Sequence, residues 1–264
     1  MLITSSRDQF DPLAERYSQS QVHRAGASLP VLLQFAEPKP ADVVLDIATG
    51  PGNTALALVD SVQSVIAIDL APRMLAEGQR RAQAEKKTNI SFREGSAEAL
   101  PFEAGAFSLV VSRHAPHHFH NAEKFLSEVG RVLSNGGRFV LADQISPVAE
   151  ISDWIDSWER TRDPSHFLQR TIPQWQELAR VTGFSWIKHE IVPYRLQFDW
   201  WIAQADCNNE CVAQLRKHIQ VASPEVTKWL DPQFDHNQQL VSFIEPILVA
   251  RMEPPSFSAE ARMR

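Results

Sequence analysis

Cysteine is nearly absent: the 264 residues hold two, Cys207 and Cys211, one helical turn apart. Nothing else with ligand spacing lies beside them, so they read as reduced structural thiols rather than a redox or metal pair. A basic excess is missing as well. Lys and Arg number 26 against 32 Asp and Glu, and the net charge of −6 gives no electrostatic reason to expect nucleic acid, which wants a clustered basic face. No run of apolar residues approaches a membrane span, and Met1 to Phe10 carries no apolar core of signal-peptide length. Internal repeats and low-complexity tracts are lacking too. What is left is a cytoplasmic globular protein with one large domain, or a domain with a cap.

The chain is organised around Val43-Val44-Leu45-Asp46-Ile47-Ala48-Thr49-Gly50-Pro51-Gly52-Asn53-Thr54. The apolar residues read as a short buried strand, and Gly-Pro-Gly as a turn where a backbone can approach a ligand closely. Asn53 or Thr54 is expected to cap the helix that follows, Ala55 to Val59. The spacing Gly50-x-Gly52-x-x-Ala55 also satisfies the loose dinucleotide fingerprint, which makes NAD the rival cofactor. Asp46 decides between them at this stage. A carboxylate at the strand end would repel a pyrophosphate but suits S-adenosylmethionine, which carries an ammonium, a sulfonium and no phosphate.

A second buried strand, Ser64 to Asp69, ends in an acid about 20 residues beyond the turn. That is where a carboxylate accepts both ribose hydroxyls of an adenosine. Leu70 and Met74, just past it, are placed to flank an adenine. Pro72 opens a helix reaching about Lys87. Further strands are expected at Asn89–Glu94, Phe107–Ser112, Arg138–Ala142, Trp186–Phe198 and Ile247–Met252. A helix over Asn121–Leu133 lies between the fourth strand and the Asn135-Gly136-Gly137 turn. Strands alternating with helices at this spacing predict an α/β fold with a doubly wound, mostly parallel sheet.

The motifs VLDIATGPGN (44–53), VIAIDLAPRML (65–75), EGSAEALPFEAGAFSLVVSRHAPHHF (94–119) and RVLSNGGRFVLAD (131–143) together resemble the class I S-adenosylmethionine-dependent methyltransferases, of the branch with the ubiquinone/menaquinone-biosynthesis enzymes. The resemblance implies a seven-stranded Rossmann-like sheet whose last strands form an antiparallel pair. It implies that Asp46, Ala48, Gly50 and Gly52 hold the methionine part, with Thr49, Asn53 and Arg113 beside them. Asp69 then takes the ribose and Ser96-Ala97 the adenine edge. The family usually has an aspartate where Ser96 stands, and a neutral acceptor makes the weaker bond.

Arg113-His114-Ala115-Pro116-His117-His118-Phe119-His120 follows the fourth strand, where open α/β sheets place ligands. Four histidines in seven residues invite a metal, yet no acid or cysteine accompanies them at ligand spacing, and none is expected. His117 or His118 is the candidate general base, or simply orients substrate. Residues 1–40 read as an N-terminal helical segment with helices at Phe10–Tyr17 and Val22–Phe35. It either packs on the sheet edge or forms a lid that brings Tyr17 and His23 over the cofactor. The domain proper is 41–253, with helical cap segments at 144–172 and 199–245 and a polar tail at 254–264. Trp154, Trp158, Trp200 and Trp201 belong to cap packing or to an aromatic pocket, into which Arg162, Asp163 and His166 point. The expected activity is methyl transfer to a small molecule at carbon, oxygen or nitrogen. The alternative is a cofactor-bound enzyme of this fold catalysing cyclisation, rearrangement or decarboxylation. A homodimer stays open.

Overall fold

The computed structural model describes residues 5–254; the expected tail from 255 onward lies outside them. Four short helices come first: α1 (Ser6–Phe10), α2 (Ala14–Gln19), α3 (Gln21–Ala25) and α4 (Ser28–Ala36). The single helix expected over 22–35 is broken at Gly26, whose ψ of 154° is extended, while the Ser20 hydroxyl oxygen caps α3 by accepting from His23 N. Next are β1 (Val43–Ile47), α5 (Asn53–Leu58), β2 (Ser64–Asp69), α6 (Pro72–Ala84), β3 (Ile90–Glu94) and β4 (Phe107–Arg113). They are followed by α7 (Ala122–Val132), β5 (Leu133–Gln144), α8 (Ala149–Arg162), α9 (Ile172–Val181) and β6 (Ser185–Gln197). The described chain closes with α10 (Phe198–Gln204), α11 (Asn209–Gln220), α12 (Pro224–Leu230), a two-residue β7 (Gln233–Phe234) and β8 (Leu240–Glu253).

The main sheet runs β3-β2-β1-β4-β5-β8-β6, with β7 pairing β8 to one side. Strands β3, β2, β1, β4 and β5 are parallel; β8 is antiparallel to both β5 and β6. This is the doubly wound, mostly parallel sheet that the alternation predicted. Its order reverses between β1 and β4, and in such sheets the strand ends at that point open a ligand crevice.

Two strands are longer than their apolar runs. β5 starts at Leu133, pairing with Phe107, and shifts register before Arg138 meets Leu109; the Asn135-Gly136-Gly137 turn is absorbed inside it, with Gly136 at φ 72°. β8 starts at Leu240, not Ile247, so residues 240–245 are strand rather than cap. Tyr194 pairs with Glu245 and Gln197 with Ser242, while β5 ends opposite Ile247. The β6–β8 pair therefore runs past the end of β5 as an arm, with β7 pairing β8 at its tip. The polar Glu245 in the middle of the apolar stretch hid the arm from a reading based on hydrophobic runs.

Apolar layers cover both faces. Phe125, Leu126 and Val129 of α7 and Trp175 of α9 pack with Val110, Phe139 and Leu141 on one side. Leu32 and Phe35 of α4 and Leu58 of α5 pack with Val44, Val111 and Val140 on the other. Each central strand is thus buried on both faces, as parallel strands require. A third cluster joins α8, α10 and α11 to the arm through Trp158, Trp201, Leu215 and Phe243. Trp158 is packing, as one of the two readings held, and its indole donates to the Leu215 carbonyl.

Candidate active site

The cleft at the switch point is built on two backbone turns. Ala48, directly after β1, has φ 54°, and His114, directly after β4, has φ 55°. Side chains rarely adopt that left-handed conformation, and it costs on the order of 1 kcal/mol at each. Both residues line a cleft of about 1180 Å³ of space, open to solvent at its mouth.

Asp46, expected to face a cationic ligand, does not line this cleft. It is buried, and its Oδ2 accepts from the Thr49 hydroxyl at 2.6 Å and from Ala55 N at 3.0 Å. The carboxyl ties the strand end to the start of α5. The N-cap residue itself has no side chain to offer: Gly52, at φ 78°, holds that position and Asn53 is the first helical residue, so the expected Asn53 or Thr54 cap is not made and Asp46 supplies the acceptor instead. Burial pushes the Asp46 carboxyl up to about 7, against its bond from Thr49 and the nearby Arg113.

The two glycines of the turn do different work. A Cβ built on Gly50 meets nothing within 4 Å, and Gly50 lines the cleft. A Cβ on Gly52 would stand 2.9 Å from the Phe92 ring, and Gly52 does not line the cleft. Asp69 does line it. Its Oδ2 accepts from Gly50 N at 2.8 Å and its Oδ1 from Ala71 N at 2.9 Å, so one carboxylate holds both the glycine turn and the start of α6. Burial raises its pKa. Ala48, Thr49, Asn53, Met74 and Arg113 complete this end of the cleft. Leu70 is 39% exposed and outside the lining, because it leaves the strand end on the solvent side. Ser96 and Ala97 also lie outside it; the Ser96 hydroxyl accepts from Glu98 N at 3.2 Å within its own turn.

Arg113 is spent on the protein. Its guanidinium donates to Thr54 Oγ1 at 3.1 Å, Ser28 Oγ at 3.3 Å and the His23 carbonyl, clamping α3, α4 and α5 together. His117 Nδ1 lies 2.7 Å from Asp143 Oδ1. His118 Nδ1 donates to the Ser165 carbonyl at 3.0 Å, and its Nε2 is 3.9 Å from Asp163 Oδ2. Burial keeps both rings uncharged: His118 falls to about 3 and His117 goes well below the usual imidazole value. His120 is exposed against Phe167 and does not join them. His166 is buried, with Nε2 2.7 Å from Asp156 Oδ1, and does not reach the cleft. Among the described residues no three His, Cys, Asp or Glu side chains converge as a metal-holding group.

The opposite end comes from elements far apart in sequence. Arg162 and Asp163 at the end of α8 line it, as do Trp200 and Trp201 of α10 and Glu245 of the arm. Arg162 Nε donates to the Trp201 carbonyl at 3.1 Å, and its Nη1 is 3.7 Å from Glu159. From the N-terminal helices, Tyr17 stacks on His23 at 4.3 Å, and His23 faces Trp200 at 5.6 Å. Tyr17 and His23 thus reach the cleft rather than stopping at the sheet edge. Burial pushes Tyr17 up to about 12 and His23 down to about 3. Reading by sequence missed Glu245, Gln144 and Phe10. A lone acid inside the apolar run Val241–Ala250 was the available signal for the first.

Residues 45–141 match the family described as a methyltransferase domain. The uncharacterized methyltransferase YcgJ of Bacillus subtilis is 31% identical over 242 residues, which is 91% of this chain and 96% of YcgJ. The crystal structure of YcgJ aligns with a TM-score of 0.82 at 30% identity, covering 87% of this chain and 99% of that one. A demethylmenaquinone methyltransferase of Thermus thermophilus is 41% identical over 102 residues, 38% of this chain and 46% of its own. Arg162, Trp200 and Glu245 all fall outside the matched 45–141 segment.

Proposed function

The chain belongs to the methyltransferase-domain family, and on that premise we propose that it transfers a methyl group from S-adenosylmethionine to a small-molecule acceptor. The observation that carries the reading is the pairing of Gly50 with Asp69 at one end of the cleft. Each Asp69 oxygen keeps a lone pair after its backbone bond, which suits two ribose hydroxyls. The free space where a Gly50 Cβ would stand lets a ligand approach the backbone. We assign the ribose to Asp69, the methionine part to Ala48, Thr49, Gly50 and Asn53, and an adenine flank to Met74. Asp46 and Gly52 support the turn from behind.

When bound, S-adenosylmethionine supplies a methyl already activated by its sulfonium. The residues therefore supply alignment and a site shielded from water. Tyr17, His23 and Trp200 form the lid over the cleft. His117 is the proton acceptor for an acceptor molecule that must lose one: Asp143 holds its Nδ1, which leaves Nε2 for substrate. His118 has spent its own N–H on Ser165 and orients the ring beside it, the two centroids being 4.1 Å apart.

Calorimetric titration of the purified chain with S-adenosylmethionine and, separately, with NAD tests the cofactor. Binding of S-adenosylmethionine alone is the expected outcome. Preference for NAD, or binding of neither, would overturn the reading.

A further inference from the structure

The cleft is longer than its cofactor end, and the far end has an unusual balance of charge. Its one cation among the described residues, Arg162, is committed to the Trp201 carbonyl with Glu159 beside it. Asp163 is committed too, accepting from Ser165 N at 2.9 Å and the Ser165 hydroxyl at 2.7 Å. The Glu245 side chain, partly buried in the wall, has no hydrogen bond and no ion pair within 4.0 Å among the described residues, and only the more distant field of Arg162 favours its charge. Three acids, Glu159, Asp163 and Glu245, thus share the field of a single guanidinium that is already in use, and burial pushes the Glu159 and Glu245 carboxyls up, the second to about 7. A carboxylate in such a place costs free energy until a proton or a cation meets it.

Glu245 is also far from the glycine turn. It sits on β8, three strands across the sheet from β1, which at about 4.8 Å per strand is roughly 14 Å. The excess of acid there belongs to a different part of the cleft from Asp69. Its walls are aromatic: Tyr17 and Trp200 flank His23 and line the same space. Acid facing aromatic rings is the combination that holds ammonium groups.

We infer that this end of the cleft takes an ammonium group of the acceptor molecule, with Glu245 as its carboxylate partner and Tyr17 and Trp200 as its aromatic wall. The inference rests on the cofactor reading above, which assigns the other end. The ammonium is a recognition handle, so Glu245 sets specificity and no bond is made or broken at it. A hydroxyl in the same place would satisfy a hydrogen bond but leave the charge unbalanced.

The test uses three probes of one shape: phenethylamine, phenethyl alcohol and phenylacetate. Each is titrated into the full chain saturated with S-adenosylhomocysteine, at about pH 8, where the amine stays protonated. The amine is expected to bind at least about tenfold tighter than the alcohol, with phenylacetate weakest. Glu245→Gln should erase that preference and leave S-adenosylhomocysteine affinity within about twofold. Trp200→Leu should weaken the amine alone. Equal binding of amine and alcohol, a preference for phenylacetate, no binding of any probe, or a preference that survives Glu245→Gln would each overturn the inference. Failure of S-adenosylhomocysteine itself to bind would instead overturn the cofactor reading, and this one with it.

Discussion

Alanine at Gly50 and alanine at Gly52 should damage different properties of the protein, although the two glycines share one turn. Both sit at positive φ, 55° and 78°, so either substitution strains the backbone by about 1–2 kcal/mol. At Gly50 nothing more is added in the apo protein, because the new methyl meets no atom within 4 Å. At Gly52 the methyl would stand 2.9 and 3.0 Å from two atoms of the Phe92 ring and 3.7 Å from the Gly78 backbone. Overpacking of that kind adds about 1–3 kcal/mol, for a total of about 2–5 kcal/mol. Urea denaturation should therefore find Gly52→Ala clearly less stable than Gly50→Ala. Calorimetry should find the reverse for the cofactor: Gly50→Ala loses at least about tenfold in S-adenosylmethionine affinity, about 1.4 kcal/mol, since its methyl fills the cradle. Equal stability losses, or wild-type affinity in Gly50→Ala, would refute the division of labour.

Asp69→Asn should lower S-adenosylmethionine affinity by about 1.5–3 kcal/mol, the scale of a charged hydrogen bond, and calorimetry showing no change would remove the ribose assignment. Arg138 and Asp42 are both buried and joined by contacts of 2.6 and 3.2 Å, and Arg138 also donates to the Ala36 and Glu37 carbonyls. Arg138→Met leaves the acid uncompensated and should cost about 3–5 kcal/mol in denaturant unfolding; a loss below about 1 kcal/mol would contradict that. His23 and His118, held near 3 by burial, should stay neutral in nitrogen-detected NMR from about pH 8 to pH 5. The unfolded chain takes up protons below the ordinary 6.5 that these folded rings refuse, so their effect is to lower stability as pH falls from 6.5 toward 3. A ring midpoint near 6.5 would show that either histidine is solvated.

The sequence by itself determined the layout of the sheet and one end of the cleft. Strand and helix periods are local, and Gly50, Asp69 and Met74 are read from their offsets from strand ends, while the family resemblance added Ala48, Thr49, Asn53 and Arg113; all of these line the cleft. Tertiary structure decided what each nearby residue does. Asp46 and Gly52 belong to the same motif, yet they face inward, one onto Thr49 and Ala55, the other toward Phe92. A motif records which residues occur together and not the direction in which a side chain points. At the far end, Tyr17, His23, Arg162, Asp163, Trp200 and Trp201 were candidates in the sequence, but Glu245 and the convergence of all of them on one wall were beyond local reading for another reason. Tyr17, Arg162, Trp200 and Glu245 come from four separate segments, brought together only when the N-terminal helices, α8, α10 and the β6–β8 arm pack. Their chemistry depends on burial and mutual charge, and neither exists until those segments meet.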